Sequence, residues 1–381
     1  MSPKTRFSLV TIALSGVALL GVAPVSFAAP SIESDAAASP GKVDWKSAGQ
    51  LAFGPDDVLF LADSLGAAVY AVDLQDQDEN GGVEDLRIAD VDAKVAALLG
   101  TAPHDVLIHD MAVHPRTRNV YLSVSRGRGD DAQPVLVKVR PSGELSAVTL
   151  DAVPHSKAPI ANAPAPDAKS ERGTPLRTLT ITDVAYADGH LFVAGLSNEE
   201  FASNLRKIPY PFSGEMTASS IEIFHGAHGE YETHSPIRTL LPYHLEGKPH
   251  VLAAYTCTPL VTIPVEQLKD GGHVRGKTVA ELGFGNRPLD MLAIERDGKS
   301  YILVANSSRG GMRLEVTDVA KATPITVPVD AMTAGADFVS LPLGGVLRFD
   351  RFGDDAIVTL RRDVESGSVS ISAMSLRWVV R

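Results

Sequence analysis

The sequence predicts an all-β protein, a six-bladed β-propeller, with seven blades as the alternative. The first observation is a unit of three short apolar strands separated by turn residues, which recurs six times along the chain. The second is a composition of 32 glycines and 25 prolines among 381 residues with 44% hydrophobic residues, which is typical of a turn-rich globular chain. A repeated four-stranded sheet cannot bury both of its faces alone. Stacking such sheets around an axis and closing the ring buries them and removes exposed edges.

The N-terminus is predicted to be a targeting segment. Lys4 and Arg6 precede the mostly apolar run 7–23, and small residues at 26 and 28 form a cleavage signature, so we expect a secretory signal peptide over residues 1–28. A membrane anchor is the alternative, but the run is short and is followed by Pro24. No later segment has ~18 consecutive apolar residues, so we expect no membrane anchor after cleavage and an exported protein, periplasmic or extracellular.

The remaining chain is predicted to be a Ser-, Ala- and Pro-rich flexible tether over residues 29–45 and a single propeller domain over residues 46–381. The formal net charge of −11 becomes −13 without Lys4 and Arg6, which argues against nucleic-acid partners. We expect a monomer that binds a small molecule or another exported protein. The single Cys257 excludes a disulfide framework and any Cys-rich metal site within one chain.

The first unit lies between Leu51 and Leu74. Residues 51–53 form a short strand closed by Gly54-Pro55-Asp56, residues 58–62 form a buried strand, and residues 69–74 have the alternating pattern of a half-exposed strand. Sliding this pattern along the chain places the first-strand entries near 50, 110, 183, 239, 290 and 345. The spacings of 51 to 73 residues exceed the roughly 40–50 of compact propeller repeats, which indicates insertions.

Three insertions stand out. Residues 92–100 begin with an N-cap residue, continue with good helix formers and end in Gly100, so they predict a short helix. Residues 152–175 contain five prolines and predict a loop. Residues 198–220 predict a second long insertion, whose aromatic residues argue against disorder.

Three copies of the repeated unit resemble the repeats of NHL-type and gluconolactonase-type propellers. They are the segments FGPDDVLFLADS, VHPRTRNVYLSVS and IERDGKSYILVANS. The resemblance covers most of the mature chain and implies the fold. It does not imply one activity, because such propellers include lactonases, dehydrogenases and binding modules.

In a propeller the inner-strand entries and the loops between second and third strands open on one face around the central channel. The repeats place a polar set there, and these are our candidate ligand-binding residues: Asp110, Asp183, Asn198, Glu199, Cys257, Asp290, Asn306 and Arg309. Asp110, Asp183 and Asp290 share one register and, with Asn198, offer the oxygen ligands of Ca²⁺ or another divalent metal. The resemblance to gluconolactonases implies that such an ion would polarise an ester carbonyl. The alternative is that each aspartate caps backbone N–H groups at its own blade entry.

Two further groups are candidates for metal binding. Cys257 is either a metal ligand or reactive group, or an inert core thiol. His225 and His228 flank a glycine-containing hairpin turn, which favours a structural role, although Glu232 or His234 could complete a zinc site.

The sequence lacks a Gly-x-Ser-x-Gly elbow, a phosphate-binding Gly-x₄-Gly-Lys motif and a Cys-x-x-Cys-His haem motif. A non-catalytic binding or scaffolding propeller for a small ligand, a metal or an exported protein is therefore the favoured function. A metal-dependent, lactonase-like hydrolase is the alternative, and a redox accessory protein using Cys257 is a third.

Overall fold

The computed structural model describes residues 38–78 and 86–380, and these residues form six mostly antiparallel sheets. The predicted signal peptide, residues 1–28, lies outside the described residues. Three α-helices accompany the sheets, at Val91–Leu99, Val316–Lys321 and Leu376–Val379. Short 3₁₀ turns lie at Pro55–Asp57, Pro103–Asp105, Gly129–Asp131, Leu176–Leu179 and Val265–Gln267.

We number the blades by the chain order of their innermost strands. Blade 1 contains Leu51–Phe53, Leu59–Asp63, Ala68–Val72 and Val153–Pro159, with Ser39–Gly41 outside them. Blade 2 contains Val106–Val113, Val120–Arg126, Gln133–Val139 and Leu145–Ala147. Blade 3 contains Asp183–Ala187, His190–Leu196, Ser203–Pro209, Thr217–His225 and Glu230–Glu232, and Gly272–Arg275 pairs in parallel with Thr217–His225.

The last three blades follow one another along the chain. Blade 4 contains Thr239–Leu245, Lys248–Ala254, Pro259–Pro264, Lys277–Glu281 and Ala334–Gly335. Blade 5 contains Pro288–Arg296, Lys299–Asn306, Gly310–Glu315 and Val339–Leu341. Blade 6 contains Val346–Arg351, Ala356–Arg362 and Val369–Ser375, and its outer strand is Arg87–Ile88. The strand pairing thus confirms the predicted six-bladed propeller.

The order of the blades around the ring differs from their order in the chain. The innermost strand of blade 2 packs against those of blades 1 and 6, and the innermost strand of blade 1 packs against that of blade 3. The ring order is therefore 2, 1, 3, 4, 5, 6. Six apolar clusters confirm it, because each contains buried residues of two blades that are neighbours in this order.

The predicted helix is present at Val91–Leu99, and Gly100 ends it with φ of 63°, a conformation that glycine adopts without strain. The prediction of a loop over 152–175 is wrong for Val153–Pro159, which pairs with Ala68–Val72 as the fourth strand of blade 1. Its prolines, Pro154 and Pro159, stand near the two ends of the strand, where a missing N–H interrupts the ladder least.

The predicted insertion over 198–220 holds the third strand and the start of the fourth strand of blade 3. Its aromatic residues pack inwards, since Tyr210 and Phe212 contact Phe60 of blade 1. In the segment predicted as a flexible tether, Ser39–Gly41 pairs with Val153–Pro159 and Val43 is buried. The described part of this segment is therefore bound to blade 1.

Candidate functional site

A cavity of about 480 Å³ lies on the axis of the ring, and the innermost strands of all six blades line it. Asp110, Asp183 and Asp290 line it, as the sequence predicts, together with Arg238, Arg348 and Asp350, which sequence reasoning did not identify.

Four aspartates of the cavity wall connect neighbouring blades. One carboxylate oxygen of each accepts a backbone N–H from the innermost strand of the next blade in the ring. The pairs are Asp110 and Leu51, Asp183 and Leu240, Asp290 and Phe349, and Asp350 and Val113, with oxygen–nitrogen distances of 2.8, 2.7, 2.7 and 2.6 Å. The sequence allowed capping within each blade, and Asp183 and Asp290 also bond the N–H of the residue that follows them. The sequence did not predict the hydrogen bonds to the neighbouring blade.

Arg348 occupies the wall between blades 6, 5 and 2. Its Nε donates to Asp110 Oδ1 at 2.6 Å, and its terminal nitrogens donate to the carbonyl oxygens of Leu289, Leu347 and His109 at 2.8, 2.8 and 2.6 Å. Four of its five N–H donors are therefore bonded to the protein. A register shift between Val346 and Arg348 precedes the residue, as equivalent shifts precede Asp110 in blade 2 and Asp290 in blade 5.

Arg238 differs from Arg348. It precedes the innermost strand of blade 4 and lines the cavity, and its Nε is buried without a hydrogen-bond partner among the described residues. Burial and the nearby positive charges of Arg287 and Arg348 lower the pKa of Arg238, while Asp183 acts in the opposite direction. Arg238 is thus a cavity-lining donor that the protein itself leaves unused at Nε.

The cavity carboxyl groups have raised pKa values. Burial, together with the charge of Asp110, raises the pKa of Asp183 to about 7, and burial raises the pKa of Asp350 to about 7. Burial also raises the pKa of Asp290 well above its ordinary value, against the opposing effect of Arg348. The wall is consequently less negative near neutral pH than four carboxylates would make it.

The other predicted site residues lie away from the cavity, since Asn198, Glu199, Asn306 and Arg309 are not among the described residues that line it. Asn198 and Glu199 are exposed in a loop of blade 3. Asn306 is buried, where its Oδ1 accepts a bond from Asn286 Nδ2 at 2.9 Å. A calcium site formed by Asp110, Asp183, Asp290 and Asn198 stays a prediction, and an ion there would compete with the backbone N–H groups that the aspartates bind.

Cys257 lies in the loop between the second and third strands of blade 4, beside the turn 225–229 that joins the fourth and fifth strands of blade 3. One ring nitrogen each of His225 and His228 and the Sγ of Cys257 lie within 4.8 Å of one another. Among the described residues this is the only such group of three or more histidine, cysteine or acidic side chains. The predicted hairpin turn is present, and His234, the other proposed zinc ligand, instead contacts Thr233 Oγ1.

No helix among the described residues is long and apolar enough to cross a lipid bilayer.

Comparisons with known proteins return propellers among the solved structures. An oxidoreductase assigned as a glucose dehydrogenase from Thermus thermophilus is 13% identical, with 88% of this chain and 100% of that chain covered and a TM-score of 0.36. The PQQ-bound aldose sugar dehydrogenase of Streptomyces coelicolor is 12% identical, with 90% and 99% covered and a TM-score of 0.34. A protein assigned as a gluconolactonase is 11% identical, with 89% and 92% covered and a TM-score of 0.30.

No protein-family model matches the chain, and no curated protein matches it. At these TM-scores the fold assignment rests on the strand pairing of the chain itself.

Proposed function

We propose that this chain is a binding protein that takes a small organic anion into its axial channel, where Arg238 holds the anionic group. The observation that carries the proposal is the buried, unpartnered Nε of Arg238 in the wall of a cavity of about 480 Å³. Cavities of ~300–1,000 Å³ are typical of small-molecule sites. A buried donor without an acceptor costs about 1–3 kcal/mol, which a ligand acceptor would recover.

The chemistry of the wall favours an oxygen-rich ligand. A guanidinium presents a planar fork of N–H donors that matches a carboxylate, sulfate or phosphate group. Protonation of Asp183 and Asp350 near neutral pH, which follows from their pKa values of about 7, reduces the repulsion that an anion meets. The cavity carboxyl groups can also accept hydrogen bonds from hydroxyl groups elsewhere on the ligand.

We propose that the protein is exported and binds its ligand outside the cytoplasm. The secretory signal peptide predicted over residues 1–28 supports a binding protein that meets its ligand outside the cytoplasm, in the periplasm or medium.

Calorimetric titration of the purified protein with succinate, malate and sulfate at pH 6 tests this function. We expect at least one anion to bind the wild type, R238Q to weaken that binding by about 10-fold or more through loss of a charged donor, and R172Q to bind like the wild type. Arg172 is a matched control because it is exposed and lies outside the cavity. The proposal fails if none of the three anions binds the wild type, or if R238Q binds as tightly as R172Q.

A further inference from the structure

His225, His228 and Cys257 form a compact cluster outside the axial channel. His225 lies at the end of the fourth strand of blade 3, His228 in the turn that follows, and Cys257 in a loop of blade 4. The two imidazole rings have centroids 3.9 Å apart. Two imidazoles and a thiol are ligands suited to zinc and copper, whereas calcium and magnesium prefer oxygen.

Glu232 orients both imidazoles from behind. Its Oε1 is 2.8 Å from Nδ1 of His225 and 2.5 Å from Nδ1 of His228. An ionised carboxylate accepts hydrogen bonds, so each Nδ1 carries a proton, and in the neutral imidazole each Nε2 keeps its lone pair. A carboxylate that fixes the tautomer of a ligating histidine is the usual outer-shell arrangement of a metal site.

Within the described part of the chain, Nε2 of His225 has no hydrogen-bond partner. This side chain is only 2% exposed, and its Nε2 is buried without a hydrogen bond among the described residues. A buried acceptor without a donor is costly, so its retention next to a thiol and a second imidazole points to a ligand that is bound there.

The loop that carries Cys257 is held in a strained conformation. Cys257 and Thr258 both have φ of 65°, which is uncommon for residues other than glycine and unfavourable for a β-branched one. The loop 283–286 fixes it, since Cys257 N donates to Asn286 O and Thr258 Oγ1 donates to Gly283 O, each at 2.8 Å. The surrounding chain therefore imposes the position of the thiol.

The turn that carries the histidines is fixed as well. Gly226 N donates to Glu281 Oε1 at 2.6 Å, and a Cβ at position 226 would lie 2.9 Å from that oxygen, so a side chain there would displace the carboxylate. Both flanks of the cluster are thus positioned before any ligand enters, which is what a preformed site requires.

We propose that His225, His228 and Cys257 form a binding site for one zinc or copper ion, and that Glu232 is a positioning residue that presents both histidines through Nε2. Three protein ligands leave a coordination position for water or another small ligand in tetrahedral geometry, and they complete a trigonal site for Cu(I). This site is separate from the channel residues, so it stands or falls independently of anion binding.

Titration of the chelator-treated full protein with Co(II), a spectroscopic substitute for zinc, tests the proposal. We expect one equivalent to bind with a thiolate-to-metal charge-transfer band. C257S should abolish that band, and E232Q should weaken affinity by roughly 10–100-fold while keeping the band. H234Q is the matched control, because His234 is exposed, lies in the same segment and is not a member of the cluster.

Competition with Zn(II), and with Cu(I) under reducing conditions, then identifies the ion. The preferred ion is the one that displaces cobalt at the lower concentration. Circular dichroism of each metal-free variant establishes that it is folded. Binding of less than half an equivalent by the folded wild type overturns the proposal. A folded C257S protein with the same band and affinity as the wild type also overturns it.

Discussion

Each aspartate of the channel wall is subject to two opposing effects on its pKa. Its oxygens accept backbone N–H groups across a blade boundary, which favours the ionised form, while burial favours the neutral form. At Asp183 and Asp350 burial prevails and the pKa rises to about 7. The stability that these residues contribute must therefore depend on pH.

The substitution D183N tests this dependence. Because the folded-state pKa of about 7 exceeds the ordinary 3.8, the folded protein binds the proton more tightly. The stabilising contribution is fully present below pH ~4 and is lost as the pH rises through about 7. Asparagine resembles the neutral acid, so D183N should cost more unfolding free energy at pH 5 than at pH 8, by roughly 2–3 kcal/mol.

Urea unfolding at both pH values measures this difference. D167N, at an exposed position, is the control and should show none. An equal cost of D183N at pH 5 and pH 8 would show that Asp183 has an ordinary pKa in the folded protein.

At single positions the sequence predicted part of the site. It identified Asp110, Asp183 and Asp290 because they share a register in the repeat. It missed Arg348 because the last unit was aligned at position 345, whereas the register shift that precedes Asp110 and Asp290 in their blades precedes Arg348 in blade 6. Asp350 lies two residues further along the same strand and was missed with it. Cys257 and His225 were each considered as metal ligands, but they belong to different blades, and strand patterns do not report which loops of neighbouring blades meet.

Among the elements, the outer strands of blades 6 and 1 come from distant parts of the chain. Arg87–Ile88 pairs with Val369–Ser375 and completes blade 6, while Val153–Pro159 completes blade 1 after the chain has built blade 2. Each of these two strands therefore pairs with a blade whose other strands lie elsewhere in the sequence. The repeat pattern could not predict them, since one is two residues long and the other contains prolines.

Ile88 is the residue of the two-residue strand that enters the core, where it is 5% exposed, and its neighbour Arg87 faces outwards. We expect I88A to lower the free energy of unfolding by about 2–4 kcal/mol, through lost burial and a cavity between blades 2 and 6. R87A should change it by less than about 0.5 kcal/mol. Equal effects of the two substitutions would mean that this strand does not contribute to closing the ring.

For the whole molecule, the repeat period was sufficient to predict a six-bladed ring but not the order of its blades. Successive units look alike, so the strand pattern of the sequence does not show that blades 1 and 2 are interleaved. The packing of the innermost strands and the apolar clusters between neighbouring blades show it. The axial cavity follows from ring closure. The chemistry of the cavity depends on two features of its wall. Hydrogen bonds between blades occupy the aspartates, and Arg238 Nε takes part in no hydrogen bond among the described residues.

Anion binding by Arg238 is tested most directly by the anomalous difference map of wild-type and R238Q crystals soaked in selenate, an anion that guanidinium groups bind. We expect a peak within hydrogen-bond distance of the Arg238 guanidinium in the wild type and its loss in R238Q. A wild-type channel without a peak, or a peak of equal height in R238Q, would contradict this role of Arg238.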